Sequence, residues 1–80
     1  MIKPITYFYV STYGCEWKVV GAAYAGRNVF PSRNAAVSLA RHWAMNVHKM
    51  AGRPTGVRVQ LEGSDPEGNP RWADDTVFGL

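Results

Sequence analysis

Histidine and cysteine side chains are the first candidates for chemistry in this sequence, because they supply metal ligands, nucleophiles and acid–base groups. His42 and His48 are six positions apart on a predicted helix. That spacing turns about 240° around the helix axis, so the two rings cannot hold one metal ion together. Cys15 is the only thiol, and no histidine lies close to it in the sequence. We therefore predict no metal site and no cofactor.

The carboxylates do not form a catalytic pair either. Asp74 and Asp75 are adjacent on a predicted strand, so their side chains point to opposite faces and cannot act on one bond. Residues 65–69, DPEGN, lack the ligand pattern of a calcium loop and are expected to form a hairpin turn. No Gly-x-Ser-x-Gly segment or phosphate-binding glycine loop occurs. We predict that the protein is not an enzyme, and no small-molecule substrate is indicated.

The composition is that of one globular domain covering residues 1–80. Apolar residues make up 46% of the chain and charged residues 19%, as in folded rather than disordered proteins. Nine basic and six acidic residues give a net charge of +3, a mild excess that most domains carry without binding nucleic acid. The single cysteine suits a reducing compartment, and no leader segment or run of about 18 apolar residues occurs. We expect a cytoplasmic protein with no membrane contact.

Alternating and β-branched segments predict the strands that would position any functional side chains. Strands are expected at residues 5–11, 16–22 and 55–63, with a weaker, exposed last strand at 71–78. The segment 12–16, TYGCE, contains a glycine and predicts a hairpin loop. Residues 23–26 are expected to turn the chain, and whether residues 28–30 then form a short third strand is left open.

A long helix is predicted between Pro31 and Pro54, because both of its ends carry sequence signals. Ser32 is a good N-cap, and Gly52 followed by Pro54 is typical of a helix end. The apolar positions of this helix recur every three or four residues, which predicts an inner face that covers the sheet. They are Ala36, Leu39, Ala40, Trp43, Ala44, Val47 and Met50. We expect Trp43 of this face to pack against Trp17 between the helix and the sheet.

The basic residues of this helix are expected on its outer, solvated side. They are Arg33, Arg41 and Lys49, at most one per turn. Phosphate binding usually needs a denser cluster of positive charge. A solvated face is therefore the favoured interpretation of the outer side of the helix, and weak nucleic-acid binding by these basic residues is the alternative.

The element order β-β-(β)-α-β-β predicts an α+β fold. One helix would pack on one face of a mostly antiparallel sheet of four or five strands. If the short third strand forms, a right-handed crossover places the strand at 55–63 beside the first strand and parallel to it, in the spatial order 3-2-1-4-5. Without the third strand, an all-antiparallel order is the favoured alternative.

The face of the sheet that points away from the helix, called the outer sheet face below, is the candidate functional surface. The face toward the helix would carry Phe8, Val10, Trp17, Val19, Val57, Val59 and Leu61. Alternation then assigns Tyr7, Tyr9, Lys18, Val20, Arg58 and Gln60 to the outer sheet face. A homodimer interface is the favoured interpretation, since the tyrosines with Val20 are more apolar than a monomer surface needs. Ordinary strand surface and a single-stranded nucleic-acid platform remain the alternatives.

Four segments resemble a group of small bacterial domains of unknown function. They are EWKV (16–19), VFPSRNAAVSLARHWA (29–44), VRVQLEG (57–63) with its DPEGN turn, and TVFG (76–79). Those domains carry a Trp-x-Val strand, a Phe-led capping segment, an Ala-rich helix and a closing aromatic–Gly pair. In this chain Phe78 occupies the aromatic position of that pair. The resemblance implies a fold and no activity, so no residue role is transferred. The function predicted from the sequence is a small non-catalytic binding or assembly module of a bacterium or phage.

Overall fold

The structure of the protein is a computed structural model that describes residues 4–21 and 28–79. These residues form one helix and five strands. The elements are β1 (Thr6–Tyr13), β2 (Glu16–Val20), β3 (Val29–Phe30), α1 (Arg33–Ala51), β4 (Thr55–Ser64) and β5 (Pro70–Phe78). The predicted end of β2 at residue 22 and the turn expected at 23–26 lie outside the described residues.

The strands form one mixed sheet in the order β3-β2-β1-β4-β5. The central strand β1 pairs antiparallel with β2 and parallel with β4, and the outer pairs β2–β3 and β4–β5 are antiparallel. The predicted α+β fold and the order 3-2-1-4-5 are therefore confirmed. The all-antiparallel alternative is wrong, because the short strand Val29–Phe30 forms and the helix crosses over to the far side of β1.

The β1–β2 hairpin is tighter than the expected loop over residues 12–16. Tyr13 and Glu16 are paired residues, so the turn contains only Gly14 and Cys15. Gly14 has a φ of +61°, which a type II′ hairpin turn requires at its first central position. The exposed thiol of Cys15 lies at the tip of this turn.

The hydrophobic core lies between the helix and one face of the sheet. Its buried apolar residues are Phe8, Val10, Val19, Ala36, Val37, Ala40, Ala44, Val57 and Val59. The hydroxyl of Thr55, which is also fully buried, donates a 2.6 Å hydrogen bond to the carbonyl oxygen of Ala44. This bond satisfies a buried polar group and fixes the helix over the start of β4. Trp17 and Trp43 are partly buried and pack against this core.

The helix begins and ends where the sequence predicts. The Ser32 side chain accepts a hydrogen bond from the backbone N–H of Ala35. At the other end, Gly52 has a left-handed φ of +68°, and its N–H donates to the carbonyl of His48. These two caps satisfy backbone groups that the helix itself leaves unpaired.

The prediction that Met50 lies on the inner face of the helix is wrong, since 88% of its surface is exposed. The carbonyl of Ala44 lies over Thr55, the first residue of β4. Met50 follows Ala44 by six residues, a rise of about 9 Å, which carries the last turn past the end of the sheet. Val37, which was not among the residues predicted for the inner helix face, is buried instead.

Leu61 is the second wrong core prediction, because it is 36% exposed rather than buried under the helix. The pairing of β1 with β4 stops at Val10 and Val59. The β4–β5 pairing is irregular between Gln60 and Ser64. The hairpin therefore extends beyond the part of the sheet that the helix covers, and strict alternation no longer implies burial.

Arg41 and Asp75 connect the helix to the last strand. Arg41 donates from Nε to Oδ2 of Asp75 at 2.6 Å and from Nη2 to Oδ1 at 2.8 Å. The Asp75 side chain is only 15% exposed, and it also accepts a hydrogen bond from the Thr76 hydroxyl. Arg41 lies on the exposed outer side of the helix and β5 is an edge strand, as expected, but the Asp75 side chain is largely buried instead of exposed. A bidentate ion pair joins them across the helix–sheet boundary.

Acidification is expected to destabilise the protein through Asp75. The hydrogen bond from Arg41, with a smaller one from Thr76, holds the pKa of Asp75 below its usual range against the opposing effect of burial. Such a carboxylate stabilises the fold above its unfolded pKa, and this contribution is lost as the pH falls through its folded pKa. The melting temperature of the wild type should therefore fall more steeply below about pH 4 than that of Asp75→Asn.

The matched control is Glu67→Gln, which removes an exposed carboxylate from the β4–β5 turn. It should keep the wild-type dependence of melting temperature on pH. An Asp75→Asn profile parallel to that of the wild type would show that the ion pair does not contribute to acid stability.

Candidate functional site on the outer sheet face

The pairing register brings the six predicted residues onto one face of the sheet. Tyr9 lies opposite Val20 of β2 and beside Arg58 of β4, and Lys18 lies opposite Ser11. Their sequence neighbours Val10, Val19, Val57 and Val59 are buried on the helix side. Because neighbouring residues of a strand alternate between faces, the six residues share the outer sheet face.

Tyr9 is the centre of an aromatic cluster on this face. Its ring centroid lies 6.2 Å from that of Tyr7 and 5.1 Å from that of Trp72, with the Trp72 contact edge-to-face. Aromatic pairs at such distances and angles attract each other beyond the effect of burial alone. Trp72 was not predicted for this face, although its pairing with Gln60 places it there. The sequence pattern could not assign Trp72 to this face, because the face depends on the register shift in β5.

Gly56 makes room for the Tyr7 ring to lie on the sheet. A Cβ at this position would come within 2.8 Å of the Tyr7 ring and 3.2 Å of the backbone oxygen of Thr76. The Arg58 guanidinium carbon lies 3.7 Å from the centroid of the same ring. The Tyr7 ring thus packs on Gly56 with one side and forms a cation–π contact with the Arg58 guanidinium.

Arg58 also forms an ion pair with Asp74, its partner residue on β5. Nε of Arg58 donates to Oδ1 of Asp74 at 2.9 Å. This hydrogen bond raises the pKa of Arg58, so its guanidinium is charged at every physiological pH. Asp74 and Asp75 point to opposite faces, as predicted. Asp74 forms an ion pair with Arg58, and Asp75 forms one with Arg41. The outer sheet face therefore presents a cation and an anion side by side.

Gln60 has a structural contact that its sequence position did not reveal. Its Oε1 accepts hydrogen bonds from the backbone N–H of Thr12 at 3.1 Å and from the Thr12 hydroxyl at 3.4 Å. These bonds join β1 and β4 just beyond their last paired residues, Val10 and Val59. Gln60 thus extends the sheet by a side-chain contact.

Two large apolar residues of the outer sheet face are open to solvent. Val20 is 47% exposed and Trp72 is 37% exposed, on either side of the tyrosines. The one helix of residues 4–21 and 28–79 packs on the opposite face. The Cα atoms extend 35 × 30 × 17 Å, so the molecule is flat.

The histidines form local contacts with polar neighbours. Nε2 of His42 lies 3.1 Å from the Asn46 amide nitrogen, and Nδ1 of His48 lies 2.9 Å from the carbonyl oxygen of Arg53. Within the part of the chain that the structure describes, no three His, Cys, Asp or Glu residues are placed to hold a metal ion. In the same residues, no helix is both long and apolar enough to span a membrane.

No family model, curated protein or solved structure matches this chain.

Proposed function

We propose that this protein is a non-catalytic binding or assembly module that self-associates through its outer sheet face. The observation that carries the proposal is the exposure of Val20 and Trp72 around the tyrosine rings. Burying such residues against a second copy removes apolar surface from water, which stabilises association. A single core in a chain of 80 residues provides little stability, so a second buried face adds to it. The single exposed thiol, Cys15, supports a cytoplasmic location for the module.

The dimensions of this face suit a stable homodimer. A standard interface buries about 800 Å² on each partner. The Cα atoms of the whole molecule extend 35 × 30 × 17 Å, which allows one face of about this size. A twofold dimer is the commonest closed assembly, and it pairs one surface with an identical copy of itself.

Pairing of sheet faces is favoured over pairing of sheet edges. The edge strand β5 has a register shift opposite Val57 and Arg58, where Asp75 is the additional residue. Bulges and acidic residues protect an edge against pairing with another strand, because they twist it and repel a second acidic edge. The other edge strand, β3, contains only two residues. These features direct association to the face.

Val20→Glu is expected to convert the dimer to a monomer. A carboxylate at this exposed position of the outer sheet face would be buried without a partner in the interface, which costs binding free energy. The dissociation constant should rise by at least about tenfold, corresponding to about 1.4 kcal/mol. Sedimentation equilibrium across a hundredfold range of concentration measures it.

Met45→Glu is the matched control, because it adds the same charge at an exposed apolar residue of the helix. It should dimerise as the wild type does. A wild type that stays monomeric at the highest concentration would refute the proposal. A dimeric Val20→Glu variant would place the interface on another surface.

Single-stranded nucleic acid is the alternative partner. The specific observation in its favour is the aromatic cluster beside Arg58, since bases stack on exposed rings and phosphates pair with arginine. Asp74 opposes it, because this carboxylate already pairs with Arg58 and repels phosphate. Arg41 is neutralised in the same way on the helix. Binding of a random oligonucleotide that weakens steeply with salt and is lost in Trp72→Ala would favour this alternative.

A further inference from the structure

The two arginine–aspartate pairs of this protein differ in how many of their hydrogen-bonding atoms they use. Arg41 and Asp75 share two bonds, so both carboxylate oxygens are occupied. Arg58 and Asp74 share one bond, from Nε to Oδ1. Among the hydrogen bonds of the described residues, none uses the terminal Nη atoms of Arg58 or Oδ2 of Asp74. The second pair therefore keeps charged atoms of both signs available for a partner, whereas Asp75 has no unbonded carboxylate oxygen.

Arg58 is held in place for such a contact. Its guanidinium lies on the Tyr7 ring, and that ring lies over Gly56, where no side chain intervenes. The hydrogen bond from Nε to Asp74 holds the guanidinium at a second point. A fixed guanidinium loses less conformational entropy on binding than a mobile one, and its outer nitrogens form a fork that matches a carboxylate.

We infer that two copies of the chain are held in register by reciprocal pairing of Arg58 with Asp74 of the partner subunit across a twofold axis. This inference rests on the proposed self-association through the outer sheet face. Arg58 and Asp74 are directly opposite each other on β4 and β5, so an axis that passes close to the pair brings each residue next to the other residue of the second copy. The result is a cyclic arrangement of two arginines and two aspartates with no net charge.

The chemistry of the pair selects a second copy over other occupants. A twofold interface must be self-complementary, and an adjacent cation and anion meet this condition. A phosphate could use the Arg58 fork but would lie beside the Asp74 carboxylate, 56% of whose side-chain surface is exposed. Burial without reciprocal pairing would leave the outer nitrogens of Arg58 unsatisfied, which is costly. The reciprocal contact therefore fixes the orientation of the two sheets.

The test uses Arg58→Glu and Asp74→Arg as single variants and as a mixture. Each variant alone places like charges together across the axis, so its homodimer dissociation constant should rise by at least about tenfold. In the mixture, the introduced carboxylate of one chain faces the introduced guanidinium of the other, and the unchanged Asp74 faces the unchanged Arg58. A heterodimer should therefore form with an affinity near that of the wild type, and native mass spectrometry of chains with different masses identifies it. Circular dichroism confirms that each variant is folded.

The matched control is a mixture of Arg33→Glu and Glu67→Arg, which exchanges charges at exposed positions on the helix and the β4–β5 turn. These variants should form homodimers and heterodimers without preference. If Val20→Glu dissociates the dimer but the Arg58→Glu and Asp74→Arg mixture forms no preferred heterodimer, the reciprocal pair is overturned and the interface stands. A monomeric wild type overturns both.

Discussion

Replacing Phe8 by alanine is expected to lower the free energy of unfolding by about 3–5 kcal/mol, the cost of removing a large side chain from a packed core. A domain of 80 residues has a total stability of about 4–12 kcal/mol, so this one change removes a large part of it. Among the residues that the structure describes, Phe8 has the largest fully buried side chain, and it lies on the central strand. Urea denaturation followed by tryptophan fluorescence measures the loss.

Gly21 provides the control for this prediction. A Cβ at Gly21 would overlap the Phe8 ring, so Gly21→Ala should cost about 1–3 kcal/mol by overpacking. In a Phe8→Leu background the flat ring is absent, and the added methyl group should cost less. Additive effects of the two substitutions would show that the two positions are not coupled through this contact.

Trp43→Ala is expected to have the second largest effect on stability. Trp43 lies on the inner side of the helix, partly buried and packed against the core. Its removal should lower the free energy of unfolding by about 2–3 kcal/mol, less than the about 3–5 kcal/mol of a fully buried tryptophan. Thermal and urea denaturation of the variant both measure this change.

Trp72→Ala is the matched control, because it removes the same side chain from the outer sheet face. In dilute solution it should affect stability less than Trp43→Ala does, and it should weaken self-association more. A Trp43→Ala variant with the melting temperature of the wild type would show that this residue does not support the core.

The fold was predictable because local signals agreed with one another. Strict alternation identified β4, and Ser32 with Gly52 identified both ends of the helix. The short strand at Val29–Phe30 decided between two topologies, and two residues carry too little periodicity to predict. Once that strand is present, the crossover places β4 beside β1 and parallel to it, as observed.

The errors in the predicted core share a physical cause. Met50 and Leu61 fit their periodic patterns, yet each lies where its element extends past the opposing layer. Periodicity gives the direction in which a side chain points. Burial also depends on whether another element is present at that point, and the sequence pattern does not contain this information.

The composition of the outer sheet face was predictable from alternation, but the contacts within it were not. The six residues lie on one face because β1, β2 and β4 are regular where they occur. Trp72 joins them only because β5 is paired with a register shift that sets which of its residues face outward. The stacking of Arg58 on Tyr7 depends on Gly56, and such three-residue contacts follow from register rather than from composition.

The central position of β1 affects how the chain folds during synthesis. Its residues from Thr6 to Val10 carry no charge and have large side chains on both faces. They leave the ribosome well before β4, the strand that will cover their second edge. Until β4 arrives, an uncharged and aromatic edge is exposed, which is the kind of segment that aggregates between chains. The parallel pairing that completes the sheet is also a contact of long sequence separation, which slows folding and lengthens this exposure.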